Sequence, residues 1–148
     1  MRKRNRGIAM SNEEIVRGAC QIIWSEGDVD RIPEFYAVNF TADYPMTDWG
    51  EGLQGIEHLV LGIRSGFPDY QERIDELIVA GSEVIVRLTI QATHKGPLPN
   101  LPPTGRVVEF NDVTICTVID GKITRQRGLT DYLSLYSQLG LIKLPQTA

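Results

Sequence analysis

Cysteine is nearly absent: Cys20 and Cys116 are the two in 148 residues, and they lie far apart. No CxxC redox pair and no thiolate-based zinc cluster is therefore on offer, and a reducing, cytoplasmic setting is the expectation. No run approaches the ~18 apolar residues of a spanning helix, so no membrane partner is expected. Positive charge is not in excess either. With 15 Lys+Arg against 19 Asp+Glu the formal charge is −4 and the pI about 5.2, which lacks the basic footprint of a nucleic-acid binder. Glycine-rich phosphate loops are missing too, since Gly50-Glu-Gly52 is too short and in the wrong context. No nucleotide cofactor is expected on that ground. His58 and His94 are the only histidines and have no neighbouring ligand set, so no metal site is expected.

What is present is an ordinary globular balance, 42% hydrophobic and 23% charged, which excludes disordered and low-complexity architectures. The basic opening Met1-Arg-Lys-Arg-Asn-Arg6 is followed by Ser11-Asn-Glu-Glu14, where a signal peptide would turn apolar. Residues 1–10 are thus expected to be a disordered basic tail, and residues 11–148 a single domain.

Ser11 and Glu14 form a capping-box signature, and Ile15, Ala19, Ile22 and Ile23 give the helix they start one apolar face, ending at Gly27. Asp28 is placed to cap a second helix through Ile32, Phe35 and Tyr36, with Pro33 tolerated near its start. Phe40 to Met46 reads as a short extended segment, and Gly55 to Gly66 as a third helix. From about Asp69 the pattern alternates, with turns at Ala80-Gly81-Ser82, Lys95 to Gly105 and Asp120-Gly121. Asp131 can cap a last helix over Tyr132 to Leu139. Helices first and an antiparallel sheet afterwards define an α+β fold.

Phe67-Pro-Asp69, Glu76-Leu-Ile-Val-Ala-Gly-Ser-Glu-Val-Ile-Val-Arg87, Thr93-His-Lys-Gly96, Pro102-Pro-Thr-Gly-Arg106, Asp120-Gly-Lys-Ile123 and Tyr132-Leu-Ser-Leu-Tyr-Ser-Gln-Leu-Gly140 together resemble the SnoaL-like polyketide cyclase family over residues 11–140. The resemblance implies the cone-shaped α+β barrel shared with ketosteroid isomerase, limonene epoxide hydrolase and nuclear transport factors. In that fold a curved, mostly antiparallel sheet and helices enclose a pocket, and members commonly form homodimers through the outer sheet face.

The family's catalytic sets do not carry over intact. The base Asp of aklanonic-ester-type cyclases falls on Gly128, and their Gln and His on Asp112 and Thr114. Of the Asp-Arg-Asp set of limonene epoxide hydrolases, Arg87 matches the Arg, while the two Asp positions hold Thr89 and Gly128. Where ketosteroid isomerases place an Asp before Pro, this chain has Tyr44 before Pro45.

On one strand Val84, Val86, Leu88 and Ile90 share a face opposite Ile85, Arg87, Thr89 and Gln91. On the next, Phe110, Asp112, Thr114, Cys116 and Val118 oppose Asn111, Val113, Ile115 and Thr117. Taken alone, apolar faces go to the core and both Arg87 and Asp112 to solvent. The resemblance instead turns Arg87, Asp112 and Thr114 into the pocket and leaves the Val84 to Ile90 row for a dimer partner.

The expected site is accordingly Asp112 as general base with Arg87 beside it, and Tyr44, Trp49, Thr89, Thr114 and Gln126 against the ligand. The expected activity is acid/base chemistry on a small, largely apolar carbonyl or cyclic compound. Two other readings stand beside it. One is a binding protein that has lost the chemistry, which the glycine at 128 favours; the other is an interaction module whose pocket is filled.

Overall fold

The computed structural model describes residues 8–146. The basic tail expected over residues 1–10 lies outside that range for its first seven positions.

Helix α1, Asn12–Gly18, starts where the capping box places it: the Ser11 hydroxyl oxygen accepts from the Glu14 main-chain N–H at 3.1 Å. It continues without a break into a π-helical segment, Ala19–Ser25. A 3-10 turn, Val29–Arg31, and a single turn α2, Ile32–Phe35, replace the longer second helix that the sequence suggested. The chain leaves the helical conformation at Tyr36 because the aromatic and β-branched residues that follow pair as a strand. Strand β1 is therefore Tyr36–Asp43, several residues ahead of the expected Phe40 to Met46. Helix α3 spans Gly52–Gly66, and β2 (Gln71–Ala80), β3 (Glu83–Thr93), β4 (Val107–Ile119) and β5 (Lys122–Thr130) follow. Asp131 caps the closing helix α4, Tyr132–Gln138, accepting from the Ser134 N–H at 3.0 Å.

The strands form one five-stranded sheet in the order β1-β5-β4-β3-β2. The β1–β5 pairing is parallel and the other three are antiparallel. Asp120 and Gly121 join β4 to β5 with φ of 50° and 75°, the paired positive values that a type I′ hairpin turn requires. The fold is the α+β class expected, with helices packed on one face of the sheet.

The register between β3 and β4 decides what faces the core. Val84 pairs with Cys116, Val86 with Thr114, Leu88 with Asp112 and Ile90 with Phe110. Directly opposed residues share a face, so the apolar row of β3 and the Asp112 row of β4 both point inward. Val84 and Val86 are fully buried, and Leu88 and Ile90 nearly so. This corrects two expectations. The Val84 to Ile90 row belongs to the core rather than to a dimer partner, and Arg87 and Thr89 lie on the outer face.

Candidate active site

The concave face of the sheet, α1 with its π-helical extension, α3, α4 and the loop carrying Leu98 and Leu101 enclose a cavity of about 730 Å³. Its walls are mainly aliphatic and aromatic, with a few polar groups set into them, as in sites for small organic molecules. Among the described residues, the cavity wall includes no Lys or Arg.

Asp112 reaches this cavity from the middle of β4 and is 7% exposed. The Thr130 hydroxyl donates to its Oδ2 at 2.5 Å from the facing position of β5. Burial raises its pKa to about 6, against the opposing pull of the Thr130 hydrogen bond. That value leaves a carboxylate at neutral pH that still binds a proton appreciably, the condition for an effective general base.

Beside it runs a chain of oriented hydrogen bonds. The Trp24 Nε1–H donates to the Tyr36 oxygen at 2.8 Å, and the Tyr36 hydroxyl to Gln126 Oε1 at 3.3 Å. Gln126 Nε2 donates to the Tyr44 oxygen at 3.1 Å, and the Tyr44 hydroxyl to Thr114 Oγ1 at 2.5 Å. Trp49 stacks on the Tyr44 ring with centroids 5.0 Å apart, and its buried Nε1–H has no partner. Burial first, and the neighbouring Asp112 charge second, hold the Tyr44 hydroxyl in its protonated form well beyond neutral pH.

Gly128 sits directly opposite Thr114 on β5. A Cβ built there would press on the Val113 carbonyl oxygen and lie 2.9 Å from the Tyr44 hydroxyl. The space that a side chain at 128 would need is occupied by Tyr44.

Of the expected site residues, the structure brings Asp112, Tyr44, Trp49, Thr114 and Gln126 to the cavity. It does not bring Arg87, whose half-exposed side chain pairs on the outer face with Asp75 at 3.5 Å and Glu76 at 3.4 Å. Thr89 is buried, but beneath the outer face, donating to Asp75 Oδ2 at 2.5 Å and accepting from Asn111 at 3.2 Å. The Arg87–Asp112 pair does not form. Asp112 therefore has no cation to hold its pKa down, which is why burial dominates it. His94 is buried in the β3–β4 connection, where its Nδ1 meets Thr104 Oγ1 at 2.9 Å. Cys116 lies against the cavity with burial pushing its thiol up to about 12, the behaviour of a small core residue and not of a nucleophile. Among the described residues, no group of three His, Cys, Asp or Glu gathers as a metal site would.

Tyr70, Glu72 and Thr130 are polar groups of the cavity that escaped the sequence reading. Glu72, on β2, lies within Gln71-Glu-Arg-Ile-Asp-Glu76, which looks like a solvated charge run. Its two-residue alternation with Tyr70 and Ile74 was the available signal. Glu72 faces inward, with Oε1 accepting from the Tyr70 hydroxyl at 2.9 Å and its N–H donating to Ser25 Oγ at 2.9 Å. Its Oε2 is buried and has no partner.

The sequence profile of the SnoaL-like polyketide cyclases matches residues 14–139. The chain belongs to this family. It is similar to the aklanonic acid methyl ester cyclase of Streptomyces peucetius, 37% identical over 60 residues that make up 40% of this chain and 41% of that one. The chain thus spans about two-fifths of the length of that relative. The nogalonic acid methyl ester cyclase of Streptomyces nogalater is 30% identical over 91 residues, 60% of this chain and 67% of that protein. Among solved structures, a protein assigned as a polyketide cyclase from Acidithiobacillus ferrooxidans superposes with a TM-score of 0.82 at 27% identity, covering 90% of this chain and 97% of its own. A SnoaL-like protein from Jannaschia, 24% identical, gives 0.80 over 96% and 100% and shares the fold. No helix among the described residues of this SnoaL-like chain is long and apolar enough to cross a membrane.

Proposed function

We propose that this SnoaL-like chain is a cofactor-free acid–base enzyme of cyclase type, acting on a small, largely apolar carbonyl or cyclic compound. The observation that carries the reading is Asp112, a buried carboxylate without a cation, opening on an apolar cavity beside the hydroxyls of Tyr44 and Thr114. Asp112 takes a proton from carbon next to a carbonyl, and the carbonyl oxygen, becoming an enolate, accepts the hydrogen bond of the Tyr44 hydroxyl, which turns to it from Thr114. Trp49 and Gln126 hold Tyr44 in place. The family's base is replaced by a carboxylate on the adjacent strand, with a glycine left where the original stood.

The test is hydrogen–deuterium exchange at the active methylene of an aryl β-keto ester in heavy water, followed by NMR. Wild-type protein accelerates exchange, with a rate that rises through about pH 6 as Asp112 ionises. Asp112→Asn lowers the rate by about 10²- to 10⁴-fold, the usual weight of a general base, while the ester still binds. Binding without any exchange above buffer would instead establish the alternative, a ligand-binding protein that has lost the chemistry. Gly128 favours that alternative. Side chains do not fill the interior, which speaks against a pure interaction module.

The outer sheet face supports a homodimer, formed by different residues from those the sequence suggested. Val113 and Leu129, paired across β4 and β5, are 43% and 66% exposed, and Ile78 on β2 is 58% exposed. Sedimentation should give a dimer mass for wild-type protein and a monomer mass for Leu129→Glu. Two unpaired buried cysteines fit the cytoplasmic setting proposed for it.

A further inference from the structure

Glu72 takes no part in the chemistry assigned to Asp112, yet its setting is specific. It projects into the cavity from β2 at the register of Ile90, while Asp112 projects from β4 at the register of Leu88. One strand and one inward-facing step lie between them, which places their Cα atoms roughly 12 Å apart. The two carboxyl groups thus sit on separate parts of the cavity wall, with Leu88 and Ile90 between them.

The two oxygens of Glu72 differ. Oε1 is engaged by the Tyr70 hydroxyl, whereas Oε2 is enclosed and unpartnered. An enclosed carboxyl oxygen without a donor is costly as part of an anion but is well suited to carry the acid's hydrogen. The backbone of Glu72 is fixed from behind by Ser25, the last residue of the π-helical segment. Such segments are rare and recur at functional sites. Here the π-helix also carries Cys20 and Trp24 into the cavity wall.

We infer that Glu72 is a second polar anchor of the cavity, a carboxylic acid whose Oε2–H turns from its enclosed position into the cavity to donate to an acceptor oxygen at the end of the ligand remote from the carbon that Asp112 deprotonates. The ligand class is narrowed accordingly. It is a flat, extended compound with a carbonyl near Tyr44 and an ether, quinone or carbonyl oxygen about one fused-ring length away. No bond to Glu72 forms or breaks.

The groups facing Glu72 agree with a neutral acid. They are the thiol of Cys20 from the π-helix, the hydroxyls of Tyr70 and of Tyr36 on β1, and Asp112 and Cys116 on β4. None is a cation. Arg64 of α3 directs its guanidinium to the main-chain carbonyls of Trp24, Ser25, Pro68 and Tyr70. Burial first, with the charge of Asp112 adding to it, moves the Glu72 pKa up to about 8, against the hydrogen bond from Tyr70.

The assignment rests on the cavity being the ligand site, as in the preceding reading, but not on Asp112 being a base. It is tested with two fluorescent probes, 2-acetylnaphthalene and 6-methoxy-2-acetylnaphthalene, which differ by one acceptor oxygen a naphthalene away from the ketone. At pH 6.5 the wild-type protein should bind the methoxy compound about three- to tenfold more tightly, the range expected of one hydrogen bond. The preference should fade above about pH 8 as the acid ionises. Glu72→Gln, which keeps a neutral donor, should hold the preference across the whole pH range. Glu72→Leu should abolish it while the parent ketone still binds.

A merely structural Glu72 would alter both affinities together and leave their ratio unmoved. The anchor is overturned if wild-type protein shows no preference at pH 6.5, or if Glu72→Leu retains it. It falls together with the ligand-site reading if neither probe binds wild-type protein. Should the Leu variant fail to fold, the Gln variant and the wild-type pH profile decide the matter. Asp112→Asn should keep the probe preference, so loss of exchange with retained preference separates the two assignments.

Discussion

Asp75 on β2 and Asp112 on β4 hang from opposite faces of the same sheet, and the side chains around them drive their chemistry apart. Asp75 accepts from the Thr89 hydroxyl at 2.5 Å and from Arg73 at 3.0 Å, with Arg87 nearby. Its pKa is lowered, by the Thr89 hydrogen bond first and that from Arg73 next. Asp112 has one hydroxyl donor, no cation and an apolar cavity in front of it, and its pKa is raised to about 6. The chemical type is the same on both faces; solvent and cations stand on one side only. A base useful near neutral pH arises where a carboxylate is deprived of both.

The sharpest way to break this contrast is to remove each carboxylate in turn. Asp112→Asn should cost about 10²- to 10⁴-fold in the exchange reaction, whereas Asp75→Asn should leave the rate within about twofold. Its ion pairs, with arginines that face solvent, are screened and contribute little to stability. Equal losses in the two variants would mean that the outer network, not the cavity, sets the rate.

A smaller effect is expected from returning the family's carboxylate to its own position. Gly128→Asp places a Cβ hard against the Val113 carbonyl oxygen and 2.9 Å from the Tyr44 hydroxyl, so the β4 main chain and Tyr44 must both shift and the inner face must take a second charge close to Asp112. Overpacking alone should cost about 1–3 kcal/mol in urea unfolding. Exchange should fall rather than rise, because the displaced hydroxyl is the donor to the enolate. Wild-type stability with raised exchange would show that Tyr44 yields easily and that the inner face accepts both carboxylates.

These residues also show what was legible in the chain. Local signals held: the Ser11–Glu14 cap, the Asp131 cap and the Asp120-Gly121 turn are each made by neighbours in sequence, and each forms as expected. Strand faces were equally legible one strand at a time. What alternation cannot supply is the phase between strands, because the loop from Lys95 to Gly105 sets which row of β3 meets which row of β4. The plain reading of apolar rows was right for β3, sending Arg87 outward, and wrong for Asp112. The family resemblance was right for Asp112, Thr114, Tyr44, Trp49 and Gln126 at the cavity and wrong for Arg87 and Thr89. Glu72 was hidden for a different reason. A carboxylate among charged neighbours reads as solvated, and only the packing of the π-helical segment over β2 encloses it.

The finest effect expected from the contrast between faces is on the pH dependence of stability. In the folded protein Glu72 keeps its proton up to about pH 8, while the unfolded chain releases it near 4.5. Between those values the native state holds more protons than the unfolded one, so raising the pH draws the equilibrium toward unfolding. Stability is therefore fullest below about pH 4.5 as far as this group is concerned, falls across the window and levels off above about 8. The slope can reach about 1.4 kcal/mol per pH unit for one proton. Asp112 adds a fall of the same sign confined to the range from 3.8 to about 6. Asp75, with its pKa lowered, acts in the opposite sense at acid pH: its contribution is present above the unfolded value and is lost as pH falls. Urea unfolding of wild-type and Glu72→Gln proteins between pH 7 and 8 isolates the Glu72 contribution, since Asp112, with its pKa of about 6, is almost fully ionised by pH 7 and Asp75 titrates far below it. Wild-type protein should lose stability steadily over that range while the Gln variant stays flat. Parallel curves would mean that Glu72 is already ionised at pH 7, and that the inner face solvates it as well as the outer face solvates Asp75.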